Sequence, residues 1–263
     1  MMGRAGEGIL VATAIALLAW RAGSLSRSGA LAAIVVGTAA IAAGWSWGAL
    51  LIAYFVSSSL LSRIGAATKA RRSGSIVEKG GARDAAQVLA NGAVFTIAAL
   101  LELAHPSPLW LAAGVGALAA SASDTWGTEI GMLAAGQPRM ITSWQPVPTG
   151  TSGAVSAPGL AAMIAGALFI ATTAWLLHAS RIIAFTAIIG GFAGALLDSI
   201  GGALIQARRR CPQCGSATER LLHDCGTRTE RVGGLGWLDN DGINAVCTLA
   251  GALVSSGAFA SMR

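Results

Sequence analysis

Eight apolar segments, separated by polar or turn-forming residues, dominate the pattern of the chain. They cover 8–20, two spans between Arg27 and Arg63, 84–103, the run from 109, 159–177, 182–206 and 239–260. A helix that crosses a bilayer needs about 20 mostly apolar residues. The stretch between Arg27 and Arg63 has no charge and is too long for one helix, so GWSWG at 44–48 is predicted to divide it. The first segment is short, which leaves seven spans as an alternative to eight.

The composition agrees with a membrane bundle. Hydrophobic residues make up 54% of the 263 positions and charged residues 11%, against about 25% charged in soluble domains. There are 35 glycines, and small residues allow membrane helices to pack closely. The sequence therefore predicts an all-α, polytopic integral membrane protein forming a single domain, 1–263.

The charges predict how the chain is oriented. Fifteen of the 18 Lys and Arg residues lie in loops that follow the odd-numbered spans. Because basic loops remain in the cytoplasm, we expect a cytoplasmic membrane protein with both termini outside and with cytoplasmic loops at 62–83, 136–158 and 207–237. The net charge of +6 fits lipid headgroups or phosphorylated substrates rather than nucleic acid. The oligomeric state stays open.

Three acidic elements lie at the predicted cytoplasmic ends of different spans. Carboxylates at membrane depth are costly and usually serve a function, and Mg²⁺ prefers one or two carboxylates together with waters and phosphates. We expect Asp124, Glu129, Asp198 and Asp239 to bind Mg²⁺, although Asp239 could equally be a helix N-cap. The polar residues beside them are predicted to contact substrate or nucleotide: Thr125, Thr128, Ser199, Gln206, Asn240 and Asn244.

A basic and polar element precedes the fourth span. Lys79 and Arg83 are candidates to neutralise phosphate, with membrane anchoring as the alternative. Asp84, Gln87 and Asn91 follow at helical spacing and form a polar stripe. The loop PTGTSG adds Thr149, Gly150, Thr151, Ser152 and Gly153, whose backbone N–H groups suit phosphate as well as a simple flexible turn.

Cysteine and histidine cluster in the loop 207–237. Cys211, Cys214, His223 and Cys225 form a C-x2-C-x8-H-x-C arrangement. Disulfides are rare in the reducing cytoplasm, whereas four such ligands suit a structural Zn²⁺. The insert is therefore a candidate zinc site, although its middle spacing is shorter than in common zinc fingers. Cys247 falls inside the last span and is predicted to be a packing residue.

Carboxylates, cations and hydroxyl-rich loops on one side of a membrane suit phosphoryl or nucleotidyl transfer, which depends on positioning and charge neutralisation. Two enzyme hypotheses follow, a kinase and a CTP-dependent lipid cytidylyltransferase. A third hypothesis is an ion- or proton-coupled transporter or a lipid carrier. The predicted outer side has few charges and short loops, which argues against transport.

Five motifs taken together resemble the domain-of-unknown-function 92 family, which includes eukaryotic transmembrane protein 19 and the plant phytyl-phosphate kinase. In chain order they are KGGARDAAQVLANG, ASDTWGTEIG, PTGTSGAVSAPG, LLDSIGGALIQ and WLDNDGIN. The resemblance extends over nearly the whole chain from Leu25 onward. CPQC is less typical of that family, so the resemblance does not by itself imply zinc.

The resemblance implies an integral membrane protein and, through the plant kinase, phosphorylation of a prenyl monophosphate to the diphosphate. The family's motif positions correspond here to Lys79, Arg83, Asp84, Asn91, Asp124, Thr125, Glu129, Asp198, Ser199, Gln206, Asp239, Asn240 and Asn244. The leading hypothesis is an isoprenyl-phosphate kinase that uses CTP or another nucleoside triphosphate with Mg²⁺. Its predicted catalytic residues are Asp124, Glu129, Asp198, Lys79 and Arg83, and its predicted partners are membrane lipid, prenyl phosphate and the nucleotide.

Overall fold

A computed structural model describes residues 2–74 and 76–263 of the chain. Ser75, which falls in the predicted basic loop 62–83, and Met1 lie outside the described residues. The described part of the chain contains eight long helices and one short helix. They are α1 (Met2–Arg21), α2 (Arg27–Ala43), α3 (Trp45–Arg63), α4 (Ala66–Ser73), α5 (Ala85–Ala104), α6 (Pro108–Gly131), α7 (Ala157–Leu176), α8 (Arg181–Leu204) and α9 (Asn240–Ser261).

The predicted membrane-helix bundle is confirmed. The helices α1, α3, α5, α7, α8 and α9 are long and apolar enough to cross a bilayer by length and composition, and α2 is a shorter apolar helix. With α6, which has 24 residues, these form the eight predicted segments. The break between α2 and α3 falls at Gly44, as GWSWG indicated.

Helix α6 occupies the centre of the bundle. It contacts α3, α5, α7, α8 and α9, and the side chains from Ala117 to Ser123 are all buried. Small residues make these contacts close: a Cβ on Gly116 or Gly190 would lie 2.5 Å from the carbonyl oxygen of Gly251. Close backbone packing of this kind fixes α6, α8 and α9 against one another.

The ends of the long helices are capped by short polar side chains. Ser26, Ser156, Ser180 and Asp239 each accept a hydrogen bond from the backbone N–H three residues later. Asp84 and Gln87 form a reciprocal capping box at the start of α5. Such caps satisfy backbone donors that the helix itself leaves unpaired.

Two features of the loops differ from the predicted irregular structure. Residues 62–83 contain α4, whose Lys69 and Ser73 are buried one turn apart while Arg71 and Arg72 are exposed. Short antiparallel strands also form: β1 (Arg139–Met140) pairs with β2 (Ala154–Val155), and β3 (Arg208–Arg210) pairs with β4 (Ala217–Thr218) and β5 (Glu230–Gly233). Strands this short leave no hydrophobic pattern for the sequence to reveal.

Candidate functional site

One cavity at a single end of the bundle brings most of the predicted site residues together. It has a volume of about 700 Å³ and lies where α3, α6 and α8 end and α5 and α9 begin. Helix α4 and parts of the four loops that follow α1, α4, α6 and α8 surround it. The predicted residues that line it are Lys79, Arg83, Gln87, Asn91, Asp124, Thr125, Thr128, Glu129, Thr149, Gly150, Thr151, Ser152, Gly153, Asp198, Ser199, Asp239, Asn240 and Asn244. Their chemical roles stay predictions.

Asp124 and Asp198 form the deepest acidic pair in this cavity. Each lies about two turns inside its helix, roughly 10 Å from the helix end. The two carboxylates lie close enough for the charge of one to act directly on the other. No Lys or Arg among the described residues forms an ion pair with either one. One oxygen of Asp198 is buried and has no hydrogen-bond partner in the described part of the chain. Two adjacent carboxylates in a low-dielectric site require a proton or a cation between them.

Glu129 is held differently. Its Oε2 accepts a 2.5 Å hydrogen bond from Nζ of Lys69, and its Oε1 accepts a 2.5 Å hydrogen bond from the Ser62 hydroxyl. The Lys69 ammonium also donates to the carbonyl oxygen of Leu61 at 2.6 Å. Both oxygens of the predicted metal ligand Glu129 therefore already have partners from α3 and α4.

Lys79 is paired with two carboxylates at the cavity rim. Its Nζ lies 2.5 Å from Oδ2 of Asp241 and 3.0 Å from Oδ2 of Asp84. Partial burial alone would lower the pKa of the Lys79 ammonium, but hydrogen bonds to the two carboxylates outweigh it and raise that pKa above its usual value. The backbone N–H of Gln87 holds the pKa of Asp84 below its usual range. Lys79 thus fastens the start of α9 to the start of α5.

Two predicted substrate contacts lie outside the cavity lining. Asp84 is the N-cap of α5 and pairs with Lys79, so its carboxylate serves the helix end. Gln206 was predicted to lie within the seventh span, but α8 ends at Leu204. The Gln206 side chain is buried, and its Nε2 donates to Oε1 of Glu219 at 3.0 Å. The helical spacing LLDSIGGALIQ indicated a longer helix than the chain forms.

Asp239 is both a helix N-cap and a cavity-lining residue, the two alternatives that the sequence left open. Its Oδ1 accepts a 2.9 Å hydrogen bond from the backbone N–H of Gly242 and caps α9, and the residue also lines the cavity. Asn91 lies deeper, where its Oδ1 accepts a 2.6 Å hydrogen bond from the Ser121 hydroxyl. The polar stripe on α5 is thereby tied to α6.

Arg83 lies between the polar cavity and an apolar cleft, which is lined by side chains such as Ile15, Leu51 and Phe55. It lines both, as do Gln87 and Asn91. Its backbone is fixed by hydrogen bonds of 3.0 Å with Ser24 and Ser26, and Gly29 packs so closely that a Cβ there would lie 2.0 Å from the Arg83 carbonyl oxygen. No carboxylate among the described residues pairs with the Arg83 guanidinium.

The PTGTSG loop forms the part of the cavity wall that lies beside α4 and α8. Gly150 and Gly153 have φ values of 91° and 79°, which favour glycine. At both positions an added Cβ would also collide, with Ser73 in one case and with Ala203 in the other. Glycine at these two positions lets the loop lie directly against α4 and α8.

The site contains functional groups that the sequence did not single out. Lys69, Glu78, Glu219 and Arg220 all line the cavity. Burial raises the pKa of Glu78 and of Glu219 above the usual range. Glu219 accepts a hydrogen bond from the Ser152 hydroxyl as well as from Gln206. Glu219 lies in a loop and Lys69 in the short polar helix α4, so neither interrupts an apolar span, whereas Asp241, which also lines the cavity, belongs to the acidic WLDNDGIN element.

The four predicted zinc ligands also come together, away from the cavity. One ligand atom from each of Cys211, Cys214, His223 and Cys225 lies within 4.8 Å of all the others. Cys247 is buried in α9 and does not join them.

The charge balance of the cavity limits its chemistry. Among the described lining residues, seven are acidic and five are basic, and three of the basic side chains, Lys69, Lys79 and Arg220, are already paired with carboxylates. A phosphate-rich ligand would be repelled unless cations entered with it. The arrangement therefore suits a polyanion that arrives with a divalent cation.

Comparisons with known proteins agree with this architecture. The family described as integral membrane protein DUF92 matches residues 10–252. Protein PGR of Arabidopsis thaliana is 31% identical, covering 94% of this chain and 93% of the relative. An uncharacterized membrane protein of Methanocaldococcus jannaschii is 27% identical, covering 94% and 90%.

A second Arabidopsis thaliana relative, Protein VTE6, chloroplastic, is 26% identical over 88% of this chain and 64% of its own length. No solved structure matches the chain. Because the family match extends over almost the entire sequence, including every element around the cavity, the chain belongs to the integral membrane protein DUF92 family.

Proposed function

We propose that this protein is a membrane kinase that transfers a phosphoryl group from a nucleoside triphosphate, CTP or another, to an isoprenyl monophosphate. The product is the isoprenyl diphosphate. The observation that supports this proposal most strongly is the pair Asp124 and Asp198. Their adjacent carboxylates have no basic partner in the described part of the chain and lie in a cavity rich in hydroxyl, amide and cationic groups.

The donor set fits Mg²⁺, since the unpartnered buried oxygen of Asp198, the adjacent Asp124 and Asp239, which lines the same cavity, are hard oxygen ligands. When bound, Mg²⁺ would neutralise charge on the nucleotide phosphates. Glu129 contributes less directly, because Lys69 and Ser62 occupy its oxygens. We therefore assign Glu129 to fixing α4 against the cavity.

The phosphate of the lipid is assigned to Arg83. Its guanidinium has no carboxylate partner among the described residues, and the residue borders both cavities. A cation at the junction of a polar and an apolar space suits an amphiphile whose head and tail need different surroundings. Lys79 stands beside it, held by Asp84 and Asp241.

The tail is assigned to the apolar cleft, which α1, α2, α3 and α5 enclose. The side chains that line it are almost entirely apolar, among them Ile15, Ala33, Leu51 and Phe55. Burying an apolar chain contributes about 0.8 kcal/mol for each CH₂ group. The cleft begins at Arg83, so a tail in it would keep its phosphate at the polar cavity.

The nucleotide is assigned to the part of the cavity along Thr149–Gly153 and the start of α9. Backbone N–H groups near glycines with positive φ suit phosphate oxygens, and Asn240 and Asn244 add amide donors. In the reaction, an oxygen of the lipid phosphate attacks the terminal phosphorus of the nucleotide. The bond from that phosphorus to the bridging oxygen breaks, and the nucleoside diphosphate leaves. The acceptor is already ionised, so the chain needs only to orient it.

The test uses purified protein with Mg²⁺, nucleotides labelled in the terminal phosphate, and a panel of prenyl monophosphates. Labelled prenyl diphosphate and nucleoside diphosphate should form together. Asp124→Asn and Asp198→Asn should each reduce transfer by about a hundredfold or more while the protein remains folded. Glu7→Gln, an exposed position outside both cavities, is the matched control and should retain full activity.

Other products would identify other functions. Release of pyrophosphate with a cytidylated lipid would replace the kinase with the lipid cytidylyltransferase. Absence of any product with every nucleotide, together with flux across proteoliposomes that needs no nucleotide, would overturn both enzyme proposals in favour of transport.

A further inference from the structure

The loop between α8 and α9, residues 207–237, folds as a small lobe with its own ligand cluster. We call these residues the cysteine lobe. The Sγ atoms of Cys211 and Cys225 lie 3.6 Å apart, and Nδ1 of His223 lies 3.2 Å from Sγ of Cys225. In a tetrahedral zinc site with Zn–S bonds of about 2.3 Å, two sulfur ligands lie about 3.8 Å apart. The cluster therefore has nearly the spacing of a zinc site before any ion is added.

A disulfide does not explain this cluster. A sulfur–sulfur bond is about 2.05 Å long, much shorter than the 3.6 Å between Cys211 and Cys225, and all four cysteines of the chain are free. The backbone N–H of Cys214 also points to Sγ of Cys211 at 3.5 Å. An N–H group directed at sulfur stabilises a thiolate, which is the form that binds metal.

Two tight turns present the ligands in pairs. In the first turn, the backbone carbonyl oxygen of Cys211 accepts a 2.8 Å hydrogen bond from the N–H of Gly215. The side chains of Cys211 and Cys214 supply two ligands from this turn. In the second turn, the backbone carbonyl oxygen of His223 accepts a 2.8 Å hydrogen bond from the N–H of Gly226. The side chains of His223 and Cys225 supply the other two ligands. Gly215 and Gly226 have φ values of 69° and 80°. Four ligands on two facing turns are the arrangement that a single tetrahedral ion would join.

The cysteine lobe has almost no apolar core. Within 207–237, all of which the structure describes, Cys211 is the only buried apolar side chain. Leu221, Leu222, Val232 and Trp237 are all exposed. Segments this small cannot bury enough apolar surface to fold on their own and usually need a metal or disulfides. A bound metal that cross-links the two turns would supply the stability that an apolar core normally provides.

The lobe forms one wall of the cavity. The N–H of Glu219 donates to the carbonyl oxygen of Ile76 at 2.8 Å, and Nε of Arg220 donates to the carbonyl oxygen of Val77 at 2.9 Å. The Glu219 carboxylate accepts hydrogen bonds from Ser152 and Gln206. Glu219 and Arg220 lie between the two ligand turns in the sequence, so the shape of the lobe sets where they meet the cavity.

We propose that Cys211, Cys214, His223 and Cys225 bind one structural Zn²⁺, and that this ion holds the cysteine lobe in the shape that places Glu219 and Arg220 against the cavity. The site is separate from the acidic pair at Asp124 and Asp198. It does not depend on which reaction the cavity supports.

The first experiment measures zinc in protein purified in detergent under reducing conditions without chelators. Elemental analysis should give one zinc per chain. Cys214→Ser and Cys225→Ser should lose most of it, and since both side chains are exposed, neither change removes core packing. Cys247→Ala, which removes a buried thiol outside the cluster, is the matched control and should keep the metal, as should Asp124→Asn.

Two further measurements keep the proposal falsifiable if metal is lost during purification. Titration of metal-free protein with Co²⁺ should give the intense visible absorption of a tetrahedral thiolate site, saturating at one ion per chain. Trypsin cleavage after Arg220 and Arg228 should be slow with zinc bound and fast after chelation. Wild-type zinc content in Cys214→Ser and Cys225→Ser, or no saturable Co²⁺ spectrum, would overturn the zinc site. Unchanged trypsin cleavage would overturn its structural role.

Discussion

The ammonium of Lys69 lies 2.5 Å from Oε2 of Glu129, and the two side chains are only 6% and 16% exposed. The pair joins α4 to the end of α6, so the short helix that borders the cavity is held by a nearly buried ion pair. Removal of one partner from a buried ion pair leaves an uncompensated charge, which is far more destabilising than removal of both.

Lys69→Met should therefore destabilise the protein by about 3–5 kcal/mol, measured as the free energy of unfolding in detergent. The double variant Lys69→Met with Glu129→Gln should recover most of that loss, because no unpaired charge remains. A double-mutant cycle that gave additive losses would contradict a coupled pair.

A second prediction concerns Glu219 and pH. Burial raises the pKa of the Glu219 carboxyl group in the folded protein. The protonated carboxyl group therefore contributes its full share of the folding stability only when the pH is below the pKa of glutamate in the unfolded chain, about 4.3. This contribution is lost as the pH rises through the raised pKa. Glu219→Gln should then raise the melting temperature at neutral pH without divalent cations, and the difference from wild type should vanish near pH 4.

The control for this prediction is Glu230→Gln, an exposed position on β5, which should not change the melting temperature at either pH. A lower melting temperature of Glu219→Gln at neutral pH would mean that the charged carboxylate stabilises the fold.

A third prediction compares two Gly→Ala substitutions to separate the cost of backbone strain from the cost of a steric clash at Gly153 in the PTGTSG loop. Gly153 has a φ of 79°, and an added Cβ would lie 2.5 Å from the backbone nitrogen of Ala203. Gly136 has a φ of 90° with no atom within 4 Å of such a Cβ. Gly136→Ala should destabilise by about 1 kcal/mol from strain alone, and Gly153→Ala by clearly more. Equal losses of unfolding free energy would show that α8 yields to the added methyl group.

A fourth prediction tests the assignment of the apolar cleft. Ala33 lines the cleft, and Phe at this position would fill the space proposed for the lipid tail. Ala33→Phe should raise KM for long prenyl monophosphates by about tenfold and change KM for short ones little. Leu31→Phe, on the same helix but 67% exposed and outside the cleft, should leave both values unchanged. A similar loss for short and long substrates would place the tail elsewhere.

Much of the fold was predictable because membrane spans leave a strong signal. Long apolar runs, charge-free stretches and GWSWG at 44–48 marked all eight long helices, with most ends within a few residues. The short helix α4 and the strands were missed. Their residues are polar, and hydrogen bonds with distant segments, such as that of Arg72 with Ala134, determine their structure.

The candidate site was predictable where polar residues interrupt an apolar helix. Asp124, Asp198 and Asn91 stood out for this reason, and the structure brings them into one cavity. Lys69 belongs to the short polar helix α4 and Glu219 to a polar loop. One more charge is not distinctive in such segments, so only the tertiary fold reveals their positions. For Gln206 the helical spacing was misleading, because α8 ends two residues earlier.

The close packing of α6 with α8 and α9 means that the acidic centre tolerates substitutions less well than the apolar cleft does. Glycines such as Gly116, Gly190 and Gly251 permit almost no variation there, so the spacing between Asp124 and Asp198 is fixed by backbone contact. The apolar cleft is built largely from α1, α2 and α3, which lie outside that packed block. Substitutions that reshape the apolar cleft therefore need not disturb the acidic centre.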